Sequence, residues 1–257
     1  MPDREGFATA SIITITALDR DKMDDLSVGE EIKRIYDYSG NGDPEWRRLG
    51  AIGKAGNILE LCASYPHRSI LEIGAGQGAI LNRLSELEFA DELYALEISE
   101  NAVSRIGERK IGSLRECRLY DGYHIPYGDN TFDLALLSHV LEHAEYPRKL
   151  LYEAKRVARY VFVEVPLEDT IRQKRDFTFD QVGHINSYSP KSIRRLVQSV
   201  GLRVLRQTVT NPSYIVYRYR FGKKAFFRFY VKQWLLGALP AVATRLFTYH
   251  CSLMCEK

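Results

Sequence analysis

The chain contains 257 residues, of which 45% are hydrophobic and 27% are charged, so disorder throughout, collagen and low-complexity sequence are excluded. Its length suits one large α/β domain. The net charge of +3 hides a division, because eight basic residues and one acidic residue lie from Asn211 onward, which leaves 28 basic and 32 acidic residues for the rest. We expect a partner to contact this basic tail.

Two features bear on where the protein acts. The four cysteines do not form the paired clusters of a zinc site or a disulfide framework, and no uncharged apolar run approaches the ~18 residues of a spanning helix. The mildly apolar segment 8–18 follows charged residues and is interrupted by threonines, which makes it a poor signal peptide. The sequence therefore predicts a cytoplasmic protein that is not integral to a membrane.

The first 64 residues are expected to hold an extension and two helices. Residues 1–29 are interpreted as an N-terminal extension, which is either frayed or contributes an edge strand through the alternation at 13–16. Apolar residues with helical spacing follow over 30–64 and are separated by a breaker at 40–44. We interpret 30–257 as a single folded domain because no Ser/Gly-rich linker divides it.

From residue 69 onward, short β-rich segments alternate with helical patterns. Strands are predicted at 69–73, 92–97, 116–120, 132–138, 160–165, 203–208 and 248–255, and helices at 78–88, 100–108, 148–159 and 190–200. This alternation is typical of a doubly wound, mostly parallel α/β sheet with helices on both faces. The basic, aromatic segment 212–247 interrupts the regular order and is predicted to be a helical insertion broken at Pro240.

A glycine-rich turn follows the strand at 69–73. Gly74, Gly76 and Gly78 alternate with other residues, and glycine permits both a sharp turn and a close approach of a ligand to the backbone. The helix after Gly78 would aim unpaired N–H groups at a carboxylate or a phosphate. Glu97 ends the next strand, where its carboxylate can accept hydrogen bonds from both ribose hydroxyls of an adenosine ligand. Alone, the loop also fits the dinucleotide fingerprint of an oxidoreductase.

Four motifs in order resemble those of class I S-adenosylmethionine-dependent methyltransferases, in particular the type 11 and type 23 groups. They are the loop 74–78, Glu97, Asp121-Gly122 with the segment 125–133, and the segment 138–143 (SHVLEH). The resemblance covers residues 30–210 and favours this family over an oxidoreductase, which is not expected to carry the stretch 126–133. It implies a Rossmann-like, seven-stranded sheet with an antiparallel last strand, and S-adenosylmethionine as the cofactor.

The resemblance also implies a cofactor site. Glu72 and the loop residues Gly74, Ala75, Gly76 and Gly78 would hold the methionine end, Glu97 the ribose and Ile98 the adenine; Asp121, beside Gly122, would accept from the adenine amino group, and Ser138 and His139 would line the sulfonium. These positions fall at the carboxyl ends of predicted strands, where open α/β sheets bind ligands. Asp121 could instead be a solvated turn residue.

Methyl transfer depends mainly on alignment of the reactants, and it needs a base only when the acceptor arrives protonated, as a hydroxyl does. His139, His143 and His184 are the predicted catalytic residues. If a helical turn follows the strand at 132–138, Glu142 lies on the same face as His139 and His143, and a histidine beside a carboxylate is a reasonable proton acceptor. Each histidine could instead cap a turn or a helix.

The sequence analysis predicts no metal site. The set His139, Glu142, His143 and His184 is nevertheless similar to the metal site of small-RNA 2′-O-methyltransferases, whose pattern begins with glutamate where this chain has His139. Three imidazoles and a carboxylate could bind Zn²⁺, Mn²⁺ or Fe²⁺. Metal-assisted RNA methylation is therefore one alternative function.

The predicted function is methyl transfer to a small-molecule, glycan or lipid-linked acceptor, on oxygen. Segment 212–247 allows three interpretations: aromatic residues that pack on the body beneath a solvated basic face, an interfacial helix that reaches a membrane-surface acceptor, or a surface for nucleic acid, which is the least favoured. A cofactor-binding protein without catalysis is the other alternative. The sequence leaves the acceptor and the oligomeric state open.

Overall fold

The computed structural model of this chain describes residues 43–173 and 183–257. The predicted extension 1–29, the alternation at 13–16 and the first of the two leading helices lie outside the described residues. The division into an extension and a single domain therefore stays a prediction.

The described helices and strands follow the predicted order. The helices are α1 (Pro44–Cys62), α2 (Ala79–Glu86), α3 (Glu100–Glu108), α4 (Pro147–Val157), α5 (Pro190–Ser199), α6 (Tyr214–Phe221), α7 (Ala225–Ala238) and α8 (Pro240–Leu246), with a short 3₁₀ turn at Gly222–Lys224. The strands are β1 (Ser69–Ile73), β2 (Glu92–Glu97), β3 (Leu114–Leu119), β4 (Phe132–Ser138), β5 (Ala158–Pro166), β6 (Arg203–Thr210) and β7 (His250–Glu256).

All seven described strands form one sheet. Their order is β3-β2-β1-β4-β5-β7-β6, and β7 runs antiparallel to both of its neighbours. From β1 the strand order continues to β2 and β3 on one side, and from β4 it continues to β5 on the other side. The order therefore switches direction between β1 and β4, and a crevice forms there at the carboxyl ends of these strands. This topology confirms the predicted doubly wound, mostly parallel sheet with an antiparallel last strand.

Helices cover both faces of the sheet because successive strand residues point to opposite sides. In β1, Ile70 packs on the face covered by α1, α2 and α3, whereas Leu71 and Ile73 pack on the face covered by α4 and α5. Most residues of the central strands are therefore apolar and fully buried. A charged side chain within such a strand is an exception that needs a specific environment.

Local sequence signals explain where the helices begin. Asp43 caps α1 by accepting hydrogen bonds from the N–H groups of Glu45 and Trp46, and Pro44 occupies the first turn, where its missing N–H is tolerated. The predicted helix 148–159 ends earlier, at Val157, since Ala158 already pairs with Phe132 of β4. Sheet pairing overrides the helical periodicity at that point.

The insertion consists of three helices rather than one broken helix. The predicted break at Pro240 is confirmed, because α7 ends at Ala238 and α8 begins at Pro240. Tyr217 of α6 and Ala243 of α8 are buried, whereas α7 leaves large aromatic side chains exposed. Among residues 43–173 and 183–257, no helix has both the length and the apolar character needed to cross a bilayer.

Candidate active site

A cavity of about 1750 Å³ opens at the carboxyl ends of β1, β2 and β4. Its lining includes twelve residues that the sequence analysis selected: Glu72, Gly74, Ala75, Gly76, Glu97, Ile98, Asp121, Gly122, Ser138, His139, His143 and His184. A pocket for one small ligand usually measures roughly 300–1,000 Å³. The cavity therefore has room for a cofactor and an acceptor side by side.

The three glycines of the loop have different surroundings, so glycine is required at each position for a different structural reason. All three have positive φ angles, of 73°, 56° and 71° at Gly74, Gly76 and Gly78. A Cβ on Gly74 would lie 2.7 Å from Val140, and a Cβ on Gly78 would lie 3.1 Å from Ile106, whereas a Cβ on Gly76 would have no atom of the described residues within 4 Å apart from its chain neighbours. Gly76 thus faces open cavity, and Gly78, which does not line the cavity, permits close packing of the loop on α3.

Glu97 is held by the loop that it faces. It is only 3% exposed, and its carboxylate accepts hydrogen bonds from the N–H groups of Gly76 at 2.7 Å, Ile98 at 2.7 Å and Ser99 at 3.3 Å. Burial raises the pKa of Glu97, and the three donors oppose that rise. An ionised carboxylate has about four acceptor sites, so one remains for a ligand hydroxyl.

Asp121 is tied into its own turn. Its Oδ1 accepts hydrogen bonds from the N–H groups of Tyr123 and His124 at 2.8 and 2.7 Å, and its Oδ2 contacts the imidazole of His124. Burial raises the pKa of Asp121, but the donors on His124 outweigh it and lower the pKa to about 2. The Asp121 carboxylate also lines the cavity. It can therefore contact an adenine amino group, as predicted, while it keeps the hydrogen bonds within its own turn.

Glu72 is a buried acid aimed at the cavity. It is 1% exposed, and its Oε2 has no hydrogen-bond partner within the described parts of the chain. Burial raises its pKa to about 8, and the ammonium of Lys54 on α1 opposes that rise. An unsatisfied buried oxygen is costly, and the ammonium group of a methionine-like ligand would supply the missing donor.

A sharp turn, rather than a helix, follows β4. His139 has a φ of 59°, which is uncommon for a residue with a Cβ, and its N–H donates to the carbonyl oxygen of Glu164 at 2.8 Å. The imidazole of His139 lies between two buried acids, with Nδ1 3.2 Å from Glu142 Oε1 and Nε2 3.5 Å from Glu164 Oε1. The backbone conformation of this turn therefore orients the imidazole of His139 toward β5.

Glu164 and His250 were not selected from the sequence. Glu164 is a fully buried acid in β5, where the other residues of the buried stretch 160–166 are apolar, and an acid in such a stretch was the available signal. Its Oε2 accepts hydrogen bonds from Asn57 Nδ2 at 2.6 Å and Ser252 Oγ at 2.7 Å. His250 Nδ1 lies 3.8 Å from Glu164 Oε1, and its ring packs edge-on against that of His139. Strand pairing brings Glu164 and Ser252 together, directly behind the part of the cavity wall that His139 and His250 line.

The other two predicted histidines form a second group. His143 Nδ1 lies 2.9 Å from the carbonyl oxygen of Gly183, and His184 Nδ1 lies 2.7 Å from Glu168 Oε2. The centroids of their rings are 4.7 Å apart, and the two imidazoles and the Glu142 carboxylate are close enough to bind one metal ion together. The structure therefore divides the four residues of the metal alternative, because His139 groups with Glu164 and His250 instead.

The comparison with known families agrees with this site. Residues 45–207 match a family model described as a methyltransferase domain. That match spans more than half of the chain, and the chain therefore belongs to this family of methyltransferases. The resemblance found in the sequence motifs is confirmed.

Individual relatives are distant. The chain is 24% identical over 160 residues to the ubiquinone/menaquinone biosynthesis C-methyltransferase UbiE of Blochmanniella floridana, a match that covers 55% of this chain and 62% of that protein. The chain spans less than two thirds of the length of the curated relatives that it matches first.

Solved structures share the fold. A SAM-dependent methyltransferase from Aquifex aeolicus has a TM-score of 0.51 at 19% identity, covering 88% of this chain and 97% of that one. The phosphoethanolamine N-methyltransferase 2 of Haemonchus contortus, in complex with phosphomonomethylethanolamine and S-adenosylhomocysteine, has a TM-score of 0.60 at 15% identity, covering 90% of this chain and 60% of that one. At these identities the likeness concerns the fold.

Proposed function

We propose that this protein transfers the methyl group of S-adenosylmethionine to a hydroxyl oxygen of an amphiphilic, lipid-linked acceptor. The observation that carries the proposal is the single cavity that joins the Gly76 loop to the inner side of the insertion. Glu72, Gly76 and Glu97 fit the cofactor, since they offer an unsatisfied buried oxygen, open backbone and an acceptor for one ribose hydroxyl, rather than for both as the sequence predicted.

When bound, the cofactor would supply a methyl group attached to a positively charged sulfur. That sulfur would keep the electron pair of the carbon–sulfur bond when the acceptor oxygen takes the methyl group. The chain must then take up the proton that the hydroxyl loses. His184 is the base of this proposal, because Glu168 Oε2 at 2.7 Å from its Nδ1 favours the tautomer that accepts protons on Nε2. Burial lowers the pKa of the neighbouring His143, which keeps that imidazole neutral beside it.

The insertion supports an amphiphilic acceptor. Helix α7 contributes Phe227, Val231 and Leu236 to the cavity lining, together with the cations Arg228 and Lys232. Its outer side exposes Phe226, Tyr230 and Trp234. A helix with exposed aromatic residues and flanking cations suits the boundary between lipid headgroups and acyl chains. An acceptor anchored there would reach the cavity beneath α7.

The test follows a labelled methyl group. The purified chain is incubated with methyl-labelled S-adenosylmethionine and either a total lipid extract or an aqueous metabolite extract. We expect label in the organic phase, in a form that hydriodic acid releases as methyl iodide, which is diagnostic of methyl on oxygen. His184→Gln should bind S-adenosylhomocysteine as the unaltered chain does and lose at least about 100-fold in turnover.

Three outcomes would contradict parts of the proposal. Label in the aqueous arm alone refutes the lipid-linked acceptor, and label that hydriodic acid does not release refutes transfer to oxygen. Tight binding of S-adenosylhomocysteine with no transfer in either arm favours the cofactor-binding protein without catalysis.

A further inference from the structure

Three potential metal ligands converge on the cavity wall beside Ser138. His139 Nε2 and His250 Nδ1 lie 3.5 and 3.8 Å from the same atom, Glu164 Oε1, and ligand atoms of all three residues lie within 4.8 Å of one another. Ligands bound to one ion at about 2.0–2.2 Å are separated by about 3–3.6 Å. Both distances to Glu164 Oε1 therefore lie at, or within a few tenths of an ångström of, the spacing around a bound ion, and the two imidazoles would have to approach each other by at most about 1 Å.

The surroundings of these atoms resemble those of a built metal site. Metal-binding histidines are usually held through their other nitrogen, and metal-binding carboxylates through their other oxygen. Here Glu142 Oε1 lies 3.2 Å from His139 Nδ1, and Asn57 and Ser252 donate hydrogen bonds to Glu164 Oε2. Two donors thus hold the outer oxygen of Glu164, and the outer nitrogen of His139 faces a carboxylate, while the inner atoms lie close to one another.

One of the three inner atoms lacks a hydrogen-bond partner among the described residues, whereas Glu164 Oε1 accepts a long hydrogen bond from Ser138 Oγ at 3.4 Å. His139 Nε2 is buried and has no hydrogen-bond partner among residues 43–173 and 183–257. Glu164 and Glu142 are both fully buried, and burying two carboxylates requires compensating positive charge. The positive charge of Lys54 acts on both of them. A cation among these atoms would satisfy all of them.

We propose that His139 Nε2, Glu164 Oε1 and His250 Nδ1 bind a divalent transition-metal ion whose open positions face the cavity. Two imidazoles and one carboxylate suit Zn²⁺, Fe²⁺ or Mn²⁺. Such an ion would lower the pKa of an acceptor hydroxyl that reaches it. This role rests on the proposed function, whereas the binding of the ion does not.

The test measures metal binding without cofactor or acceptor. The full chain, freed of its purification tag and of metal by a chelator, is titrated with Co²⁺ in the visible spectrum and with Zn²⁺ by calorimetry. We expect one ion per chain and a Co²⁺ spectrum of low coordination number. His250→Gln and Glu164→Gln should each weaken binding at least about 100-fold, and Asn57→Ala, which removes a positioning contact, by about 10- to 100-fold.

Two control variants separate this site from others. His67→Gln, at the opposite edge of the sheet where the ring stacks on Phe89, should bind the ion like the unaltered chain. His184→Gln should do so too, because His184 belongs to the other group. Circular dichroism and thermal melting establish that each variant is folded, and His250→Gln serves if Glu164→Gln does not fold.

The outcomes decide the proposal. Loss of binding in His250→Gln with retention in His184→Gln supports it. Loss in His184→Gln with retention in His250→Gln would place the ion among Glu142, His143 and His184 and overturn the assignment. Absence of one-to-one binding in the folded, unaltered chain would also overturn it. Either failure leaves the labelled-methyl experiment unaffected.

Discussion

At the scale of single residues, alanine substitutions at Gly76 and at Gly56 distinguish an effect on ligand binding from an effect on stability. Its φ of 56° and the open space around it mean that Gly76→Ala adds strain of about 1–2 kcal/mol and places a methyl group where the cofactor is expected. We expect the Kd for S-adenosylhomocysteine, measured by calorimetry, to rise at least about tenfold. Gly56→Ala, at an open position in α1, should leave the Kd unchanged and add about 0.5–1 kcal/mol of stability. Equal Kd values in both variants would contradict the assignment of the loop.

Glu72 gives the site a pH dependence. Its pKa is raised to about 8 by burial, so it is protonated in the free protein at neutral pH, and a bound ammonium group should ionise it. Cofactor binding then releases a proton, and affinity should rise by up to about tenfold per pH unit between pH 6.0 and 7.5. Calorimetry in buffers of different ionisation enthalpy measures that proton.

The Glu72 prediction has a matched control. Glu72→Gln should abolish both the proton release and the rise in affinity. Glu108→Gln, which removes an exposed acid of α3, should retain both. An affinity that does not change with pH in the unaltered chain would refute the ammonium contact.

At the scale of elements, α7 is expected to bind anionic membranes. Phe226 and Trp234 are 63% and 68% exposed on the outer side of α7, and burying a large apolar side chain contributes about 1.5–3 kcal/mol. Joint replacement of both by alanine should lower partition onto vesicles containing anionic phospholipid by about tenfold or more, measured by co-sedimentation. Tyr152→Ala, at an exposed aromatic residue of α4, should change little. Retained partition of the α7 variant would refute the interfacial interpretation.

Helix α5 supports the segment that carries His184. Ser189 caps it by accepting a hydrogen bond from the N–H of Ser192, whose hydroxyl in turn accepts one from the N–H of Ser189. Ser189→Ala should cost about 1 kcal/mol of unfolding free energy, measured by urea denaturation. Ser104→Ala, on the exposed side of α3, should cost nothing, because alanine is the better helix former. An equal effect of the two changes would show that the cap contributes no stability.

At the scale of the whole molecule, ligand binding should raise the stability of the entire sheet. The cavity lining comes from β1, β2, β4, β7 and the insertion, so a ligand that binds only the folded state stabilises all of them together. S-adenosylhomocysteine at 100 times its Kd should add about 2.7 kcal/mol, seen as a rise in Tm. NAD at the same concentration should add nothing. The reverse result would restore the oxidoreductase interpretation.

Much of the fold was predictable because it is encoded locally. Strand β4 at 132–138 and helix α3 at 100–108 have the predicted bounds, since each coincides with an unbroken periodic pattern between turn residues. The contact between the glycine-rich turn and Glu97 was predictable for the same reason, because they belong to consecutive elements. The sequence predicted His139 as a site residue, but it did not predict where the imidazole lies. That placement depends on a positive φ at His139, which leaves no periodic pattern in the sequence.

The sequence by itself determined the class of sheet, the family and the glycine-rich turn, because alternation, turn chemistry and motif order are properties of neighbouring residues. Only the tertiary structure decided which acids and imidazoles meet. Glu164 and His250 are 86 positions apart, and they meet because β7 inserts antiparallel beside β5 in a register that pairs Glu164 with Ser252. Strand pairing between distant segments is set by packing of the whole sheet, which the order of residues within either strand does not specify.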